Sequence, residues 1–126
     1  MRVLLDTHIL LWWLADDEKL PTLAAATIAD PDVEVMVSAA AAWEIAVKRR
    51  RGRLHAPEDL LGALEGNDFA ALPITAAHAL AAGDLPDHHA DPFDRMLIAQ
   101  SITEGLTLIS GDSRFHSYDV ALLPLT

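Results

Sequence analysis

Four acidic residues lie far apart in the chain, at positions where a sheet would gather them: Asp6, Glu44, Asp94 and Asp112. Asp6 closes a short apolar run and Asp112 lies just past another, so parallel strands would bring both acids to one sheet edge. Glu44 follows a third such run, flanked at helical spacing by Ala40, Ala41 and Val47 on one side and Lys48 on the other. Asp94 sits one helical step beyond Asp91, which lets both face one cleft. If four ionised carboxylates meet with neighbours about 5 Å apart, each pair repels by roughly 3 kcal/mol at an effective dielectric of about 20. A marginal stability of about 5–15 kcal/mol does not tolerate such a cluster unless protons or cations neutralise it. A divalent cation is the simplest remedy. An all-oxygen donor set suits Mg²⁺ or Mn²⁺ better than zinc or copper. Carboxylate-held Mg²⁺ in turn suits phosphoryl chemistry, where it activates water and stabilises charge on phosphate oxygens.

Each acid taken alone has a plainer explanation. Asp6 fits a helix N-cap, Glu44 with Lys48 is an i, i+4 ion pair, and Asp91-Pro92-Phe93-Asp94 has cap, proline and first-turn acid in register. Asp112 after Ser110-Gly111 fits a turn. The argument for chemistry therefore rests on their meeting in space.

The elements that would make them meet can be read in order along the chain. Arg2 to Leu5 reads as a strand and Thr7 to Leu14 as a helix. Pro21 opens a helix to about Ala29, and Val33 to Val37 is the next strand. Ser38 caps a helix from Ala39 to about Arg51, stopped by Gly52, and Pro57 to Glu65 forms another. Phe69 to Ile74 is a third strand, and Thr75 caps a helix to about Ala82. A polar loop over Gly83 to Ala90 leads to a helix that starts at Asp91-Pro92 and reaches about Glu104, where Gly105 stops it. Leu106 to Ile109 is a fourth strand, Asp112 to His116 a helical turn, and Ala121 to Leu125 a fifth strand whose pairing Pro124 limits. Short strands apolar on both faces, alternating with helices, predict an α/β fold with a central, mainly parallel sheet of four or five strands flanked by helices. No linker or repeat interrupts residues 1–126, which are expected to form one domain.

Composition narrows the function classes. The 126 residues carry a formal charge of −10 with 52% hydrophobic residues and no cysteine. That is enough apolar material for a core, and it excludes disulfides, Cys-ligated zinc, iron–sulfur clusters and thiol nucleophiles. A reducing compartment, the cytoplasm, is the expectation. The longest apolar run, Ile9 to Ala15, is far short of the roughly 18 residues of a spanning helix, and Asp6 breaks the stretch a secretory leader would need. No membrane role is expected. So acidic a chain cannot hold nucleic acid by bulk charge, and any such contact must be local.

Four blocks now carry a resemblance: Val3-Leu4-Leu5-Asp6-Thr7, Ser38 with Trp43-Glu44-Ile45, Asp91 through Gln100, and Leu108-Ile109-Ser110-Gly111-Asp112. Together, in this order and over the whole chain, they resemble the acidic blocks of PIN domains, and most of all the VapC-type toxins of toxin–antitoxin pairs. The resemblance implies a PIN-like three-layer sandwich and a Mg²⁺- or Mn²⁺-dependent endoribonuclease in which activated water cleaves an RNA phosphodiester, leaving a 5′-phosphate and a 3′-hydroxyl. Asp6, Glu44, Asp94 and Asp112 match its acidic quartet, as catalytic and metal-holding residues. Thr7 and Ser110 match neighbouring polar positions that orient ligands or water, and Asp91 matches an additional acid whose role stays open. Ala90 stands where a subset of the family has Arg, and His8 follows Thr7, so substrate contacts do not transfer.

Five of the nine basic residues fall together: Lys48, Arg49, Arg50, Arg51 and Arg53. They suit a helix C-terminus through its dipole, or an RNA phosphate track leading toward Glu44. Ile9 to Leu14, with Trp12 and Trp13, holds too many large apolar groups for one buried face. The resemblance suggests a homodimer contact or a groove for a VapB-like antitoxin there. His88 and His89 read as solvated loop histidines, with metal or phosphate binding as the other reading. Two other enzyme or binding classes fit less well. An aspartyl phosphatase needs Asp-x-Asp where Asp6-Thr7-His8 stands, and a phosphoacceptor receiver domain needs a lysine near its last strand, whereas the only lysines are Lys19 and Lys48. A PIN fold that binds RNA or protein without catalysis is the remaining alternative.

Overall fold

Successive side chains of a strand point to opposite faces, and the first strand uses both. Val3 and Leu5 join one apolar cluster with Ile9, Val37 and Ile45, while Leu4 joins another with Met36, Leu97 and Phe115. A strand buried on both sides requires helices above and below it. In the computed structural model, which describes residues 1–126, the chain supplies them in the order β1 (Arg2–Leu5), α1 (Thr7–Leu14), α2 (Thr22–Ala29), β2 (Glu34–Ser38), α3 (Ala39–Arg50), α4 (Leu60–Gly66), β3 (Ala70–Leu72), α5 (Ala76–Asp84), α6 (Pro92–Glu104) and β4 (Thr107–Ile109), followed by a 3-10 helix over Ser113–Ser117. The four strands form one parallel sheet in the order β3-β2-β1-β4. The expected α/β sandwich is therefore present.

Three elements differ from expectation, and the first is β3, which holds only Ala70–Leu72 of the expected Phe69 to Ile74, with Pro73 lacking an N–H to extend it. Helix α4 begins at Leu60 instead of Pro57, because Asp59 is its cap: the Asp59 carboxylate accepts the Gly62 N–H at 3.0 Å. The expected fifth strand, Ala121 to Leu125, contributes only one parallel bridge, Leu122 beside Leu108. Pro124 has no N–H with which to continue the ladder. The apolar surplus of α1 is partly absorbed within the chain. Ile9 and Leu10 are fully buried, and Leu11, Trp12, Trp13 and Leu14 are half-buried against the same cluster. Trp13 also donates its indole N–H to Asn67 Oδ1 at 3.0 Å.

The register sets the functional edge. Leu5 pairs with Ile109, and the Asp6 N–H donates to the Ile109 carbonyl at 3.1 Å. The carboxyl ends of β1 and β4 thus finish side by side, with Asp6 and Ser110 as the next residues. Ser38, ending β2, caps α3 by accepting the Ala40 N–H, and α3 packs against both α1 and α6. Small residues allow this closeness: Ala41 is buried in one cluster and Ala40 in the other.

Candidate metal centre

Asp6 is both a cap and a member of an acid cluster. Its Oδ1 accepts the Ile9 N–H at 2.8 Å, so it starts α1. It is also only 5% exposed. Burial pushes its carboxyl up to about 6, against the opposing effects of the Ser110 hydroxyl and the Ile9 N–H, and the nearby Asp94 charge adds to the rise.

Glu44, on α3, is buried and doubly held. The Thr7 hydroxyl donates to Oε1 at 2.6 Å, and the Lys48 ammonium pairs with Oε2. The i, i+4 pair read from the sequence therefore forms, turned inward. Lys48 is the cation of a buried acid as well as a member of the basic run.

Asp94 lies in the first turn of α6, whose cap is Asp91: Asp91 Oδ1 accepts the N–H groups of Phe93 at 2.8 Å and Asp94 at 3.2 Å. Burial raises the Asp94 carboxyl above its ordinary value, assisted by the charges of Asp91 and Glu44 and opposed by a hydrogen bond from His89. His89 Nε2 lies 2.7 Å from Asp94 Oδ2. A carboxylate only accepts, so Nε2 carries the proton, and His89 orients Asp94 while its other nitrogen faces away from that bond.

This overturns the reading of His89 as a solvated loop residue, although His88 is exposed as expected. The burial has a visible cause. Arg95 donates to the carbonyls of Ala82, Leu85, Pro86 and His89 at 2.9, 3.0, 3.0 and 3.3 Å, and Tyr118 Oη donates to Pro86 at 2.8 Å. The loop is fastened down, with the His89 ring against Phe115. Arg95 stands inside the block quoted above, yet most of its partners are backbone carbonyls, which residue types do not announce.

Asp112 caps the 3-10 helix by accepting the Arg114 N–H at 2.9 Å. Its two oxygens also receive the Arg114 guanidinium, at 2.7 Å from Nη2 and 3.1 Å from Nε. That pairing holds the Asp112 carboxyl below the ordinary carboxylate range. Ser110 supports the turn by accepting the Asp112 N–H at 3.0 Å.

The quartet thus converges. Ligand atoms of His89, Asp94 and Asp112 lie within 4.8 Å of one another. Asp6 and Asp112 line one cleft of about 260 Å³ with His8 and Trp12, and the charges of Asp6, Glu44 and Asp91 are coupled to Asp94. The expected repulsion is met from within the chain: Lys48 on Glu44, the His89 N–H on Asp94, Arg114 on Asp112, and a carboxyl on Asp6 that ionises late. The donor set also fits a hard divalent ion, since Asp6 and Asp112 offer carboxylates to one cleft, Asp94 has a ligand atom within 4.8 Å of one on Asp112, and no thiolate competes. The basic run divides. Lys48 and Arg53 line a cleft next to the acids, Arg49 donates to the Pro57 carbonyl at 2.7 Å, and Arg50 and Arg51 are exposed.

Comparison with known proteins agrees with this geometry. The family model described as PIN domain matches residues 3–121. Ribonuclease VapC22 of Mycobacterium tuberculosis (strain ATCC 25618 / H37Rv) is 31% identical over 119 residues, covering 92% of this chain and 91% of that protein. Among solved structures, VapBC2 from Rickettsia felis bound to a DNA fragment from its promoter matches with a TM-score of 0.72 at 15% identity, over 98% of both chains. A toxin–antitoxin complex from Klebsiella pneumoniae matches with a TM-score of 0.69 at 17% identity, again over 98% of both chains. At such identities the structural likeness speaks for the fold.

Proposed function

We propose, because the chain belongs to the PIN domain family, that it is a divalent-metal-dependent endoribonuclease and the toxin of a VapBC-type toxin–antitoxin pair. The observation that carries this reading is the gathering of Asp6, Glu44, Asp94 and Asp112 at the carboxyl ends of β1, β2 and β4, where an α/β sheet binds its ligands. The 31% identity to a protein named as a ribonuclease supports it.

Mg²⁺ or Mn²⁺, when bound, supplies activation of water and neutralises charge developing on the phosphate oxygens. Asp6 and Asp94 would hold the principal ion, and Asp112 would complete the set once Arg114 releases it. Glu44, with Oε1 on Thr7 and Oε2 on Lys48, acts as the buried anchor that keeps α1 and α3 in place around the ion. His89 holds Asp94 Oδ2, and Oδ1 takes no part in that bond. Ser110 favours the ionised form of Asp6, and Asp91 sets the start of α6. Arg53 and its neighbours in the basic run meet the RNA backbone.

In this reading residues 1–126 act as one PIN domain in the cytoplasm, and no helix is long and apolar enough to cross a membrane. The partners are a VapB-like antitoxin and a second copy of the chain. Trp43, 61% exposed and edge-on to Phe93 at 5.0 Å, offers them an apolar foothold beside Glu44 and Asp94.

The test is cleavage of candidate RNAs by purified protein with Mg²⁺ or Mn²⁺, with mapping of a 5′-phosphate and a 3′-hydroxyl at the cut. Asp6→Asn and Asp94→Asn chains, shown folded by circular dichroism, should lose cleavage. Cutting by both variants equal to that of the wild type would refute the site, and binding without cutting by the wild type would favour the non-catalytic reading.

A further inference from the structure

We infer that the cleft beside the acid cluster binds one unpaired nucleotide of the RNA strand, an inference that rests on the nuclease reading above. The acid cleft and this second cleft, of about 440 Å³, share two walls, His8 and Trp12. Leu11, Lys48, Arg53, Leu54 and His55 complete the second. Its volume lies in the range of about 300–1,000 Å³ typical of small-ligand sites, and its chemistry is mixed in a particular way. An aromatic and aliphatic floor meets a base face, while cations at the rim meet phosphate.

Charge supports this occupant. In a chain of formal charge −10, this cleft gathers Lys48, already paired with Glu44, and Arg53, with no acid among its lining residues. Arg53 and His55 are exposed, and Arg53 takes part in none of the chain's ion pairs. The His8 and Trp12 rings are 6.0 Å apart with planes inclined at 49°, so neither covers the face of the other. A strand whose phosphate sits at the acids would therefore lay its neighbouring base against Trp12 and its next phosphate by Arg53. A duplex keeps its bases stacked inward and cannot fill such a pocket, so the cleft selects single strands.

The test uses the full chain carrying Asp94→Asn to prevent cleavage, with a fluorescein-labelled 12-nucleotide single-stranded RNA and the same sequence as a duplex. Fluorescence anisotropy gives Kd at several salt concentrations. Adding Arg53→Ala with His55→Ala, two exposed positions, should weaken single-strand binding at least about tenfold and lower the salt slope by about 1. Trp12→Leu, which keeps the apolar body, should weaken single-strand binding about tenfold and leave duplex binding unchanged. Unchanged single-strand Kd in both sets, with the Asp94→Asn chain still binding RNA, overturns the pocket while leaving the nuclease reading intact. Variants that lose only binding of a protein partner overturn it likewise. No RNA binding by the Asp94→Asn chain, together with no cleavage by the wild type, would remove the nuclease reading itself.

Discussion

The Thr7 hydroxyl donates to Glu44 Oε1 at 2.6 Å, tying the first turn of α1 to the middle of α3 across 37 positions of sequence. Both groups are buried, so removing the donor strands a carboxylate oxygen away from water. Thr7→Val should therefore destabilise the fold by about 1–3 kcal/mol, while Thr7→Ser should restore much of the loss. Urea denaturation measures this. A Thr7→Val protein as stable as the wild type would mean that the bond contributes nothing.

Asp6 makes the pH dependence of stability asymmetric. Its carboxyl is raised from 3.8 to about 6 in the folded chain, so the folded state holds this proton more tightly than the unfolded one. The resulting stabilisation is fully present below about pH 3.8 and is lost as pH rises through about 6. At pH 7 without divalent ions the ionised Asp6 lowers stability by up to about 3 kcal/mol relative to a neutral group. Asp6→Asn, which can still cap α1, should then be more resistant to denaturant than the wild type at pH 7 in EDTA, with the difference shrinking toward pH 4. A wild type more stable than Asp6→Asn at pH 7 under those conditions would contradict the burial argument.

Arg114 competes with any ion for Asp112. Its guanidinium covers both carboxylate oxygens from an exposed position, and exposed pairs are weak. Arg114→Ala should thus tighten Mn²⁺ binding, by at most about fivefold, in calorimetric titration. Weaker binding in the variant would show that Arg114 assists the site instead of guarding it.

Arg95 acts through the loop that carries His89. A lysine offers a single ammonium where the guanidinium spans several carbonyls, so Arg95→Lys should cost about 2–3 kcal/mol of stability. Amide exchange at residues 85–90 should accelerate in parallel. Unchanged exchange there would separate Arg95 from the placement of His89.

How far the sequence revealed this site depends on the range of the forces involved. Asp6, Asp91 and Asp112 are legible because each begins a helical turn, where residue type and position agree. Glu44 and Lys48 follow from helical spacing. What sequence could not show is that Asp94 and Asp112 also carry partners from the chain itself, His89 and Arg114. His89 looked solvated because its burial depends on Arg95 and Tyr118 closing the loop over it, and both reach carbonyls that every residue possesses. The fifth strand failed for a local reason that was visible, Pro124, whose effect prevailed over the apolar pattern around it. The basic run was legible as charge, but only Lys48 and Arg53 line the cleft beside the acids, because helix phase and the turn at Gly52, with φ of +68°, send the others elsewhere.

Lys48, His89 and Arg114 have one more effect: they separate assembly of the chain from its arming. With those partners in place the protein should reach its finished shape in magnesium-starved surroundings. A chelator should silence it without melting it, and restoring the ion should rearm it within the time a side chain takes to swing aside, with no refolding step between.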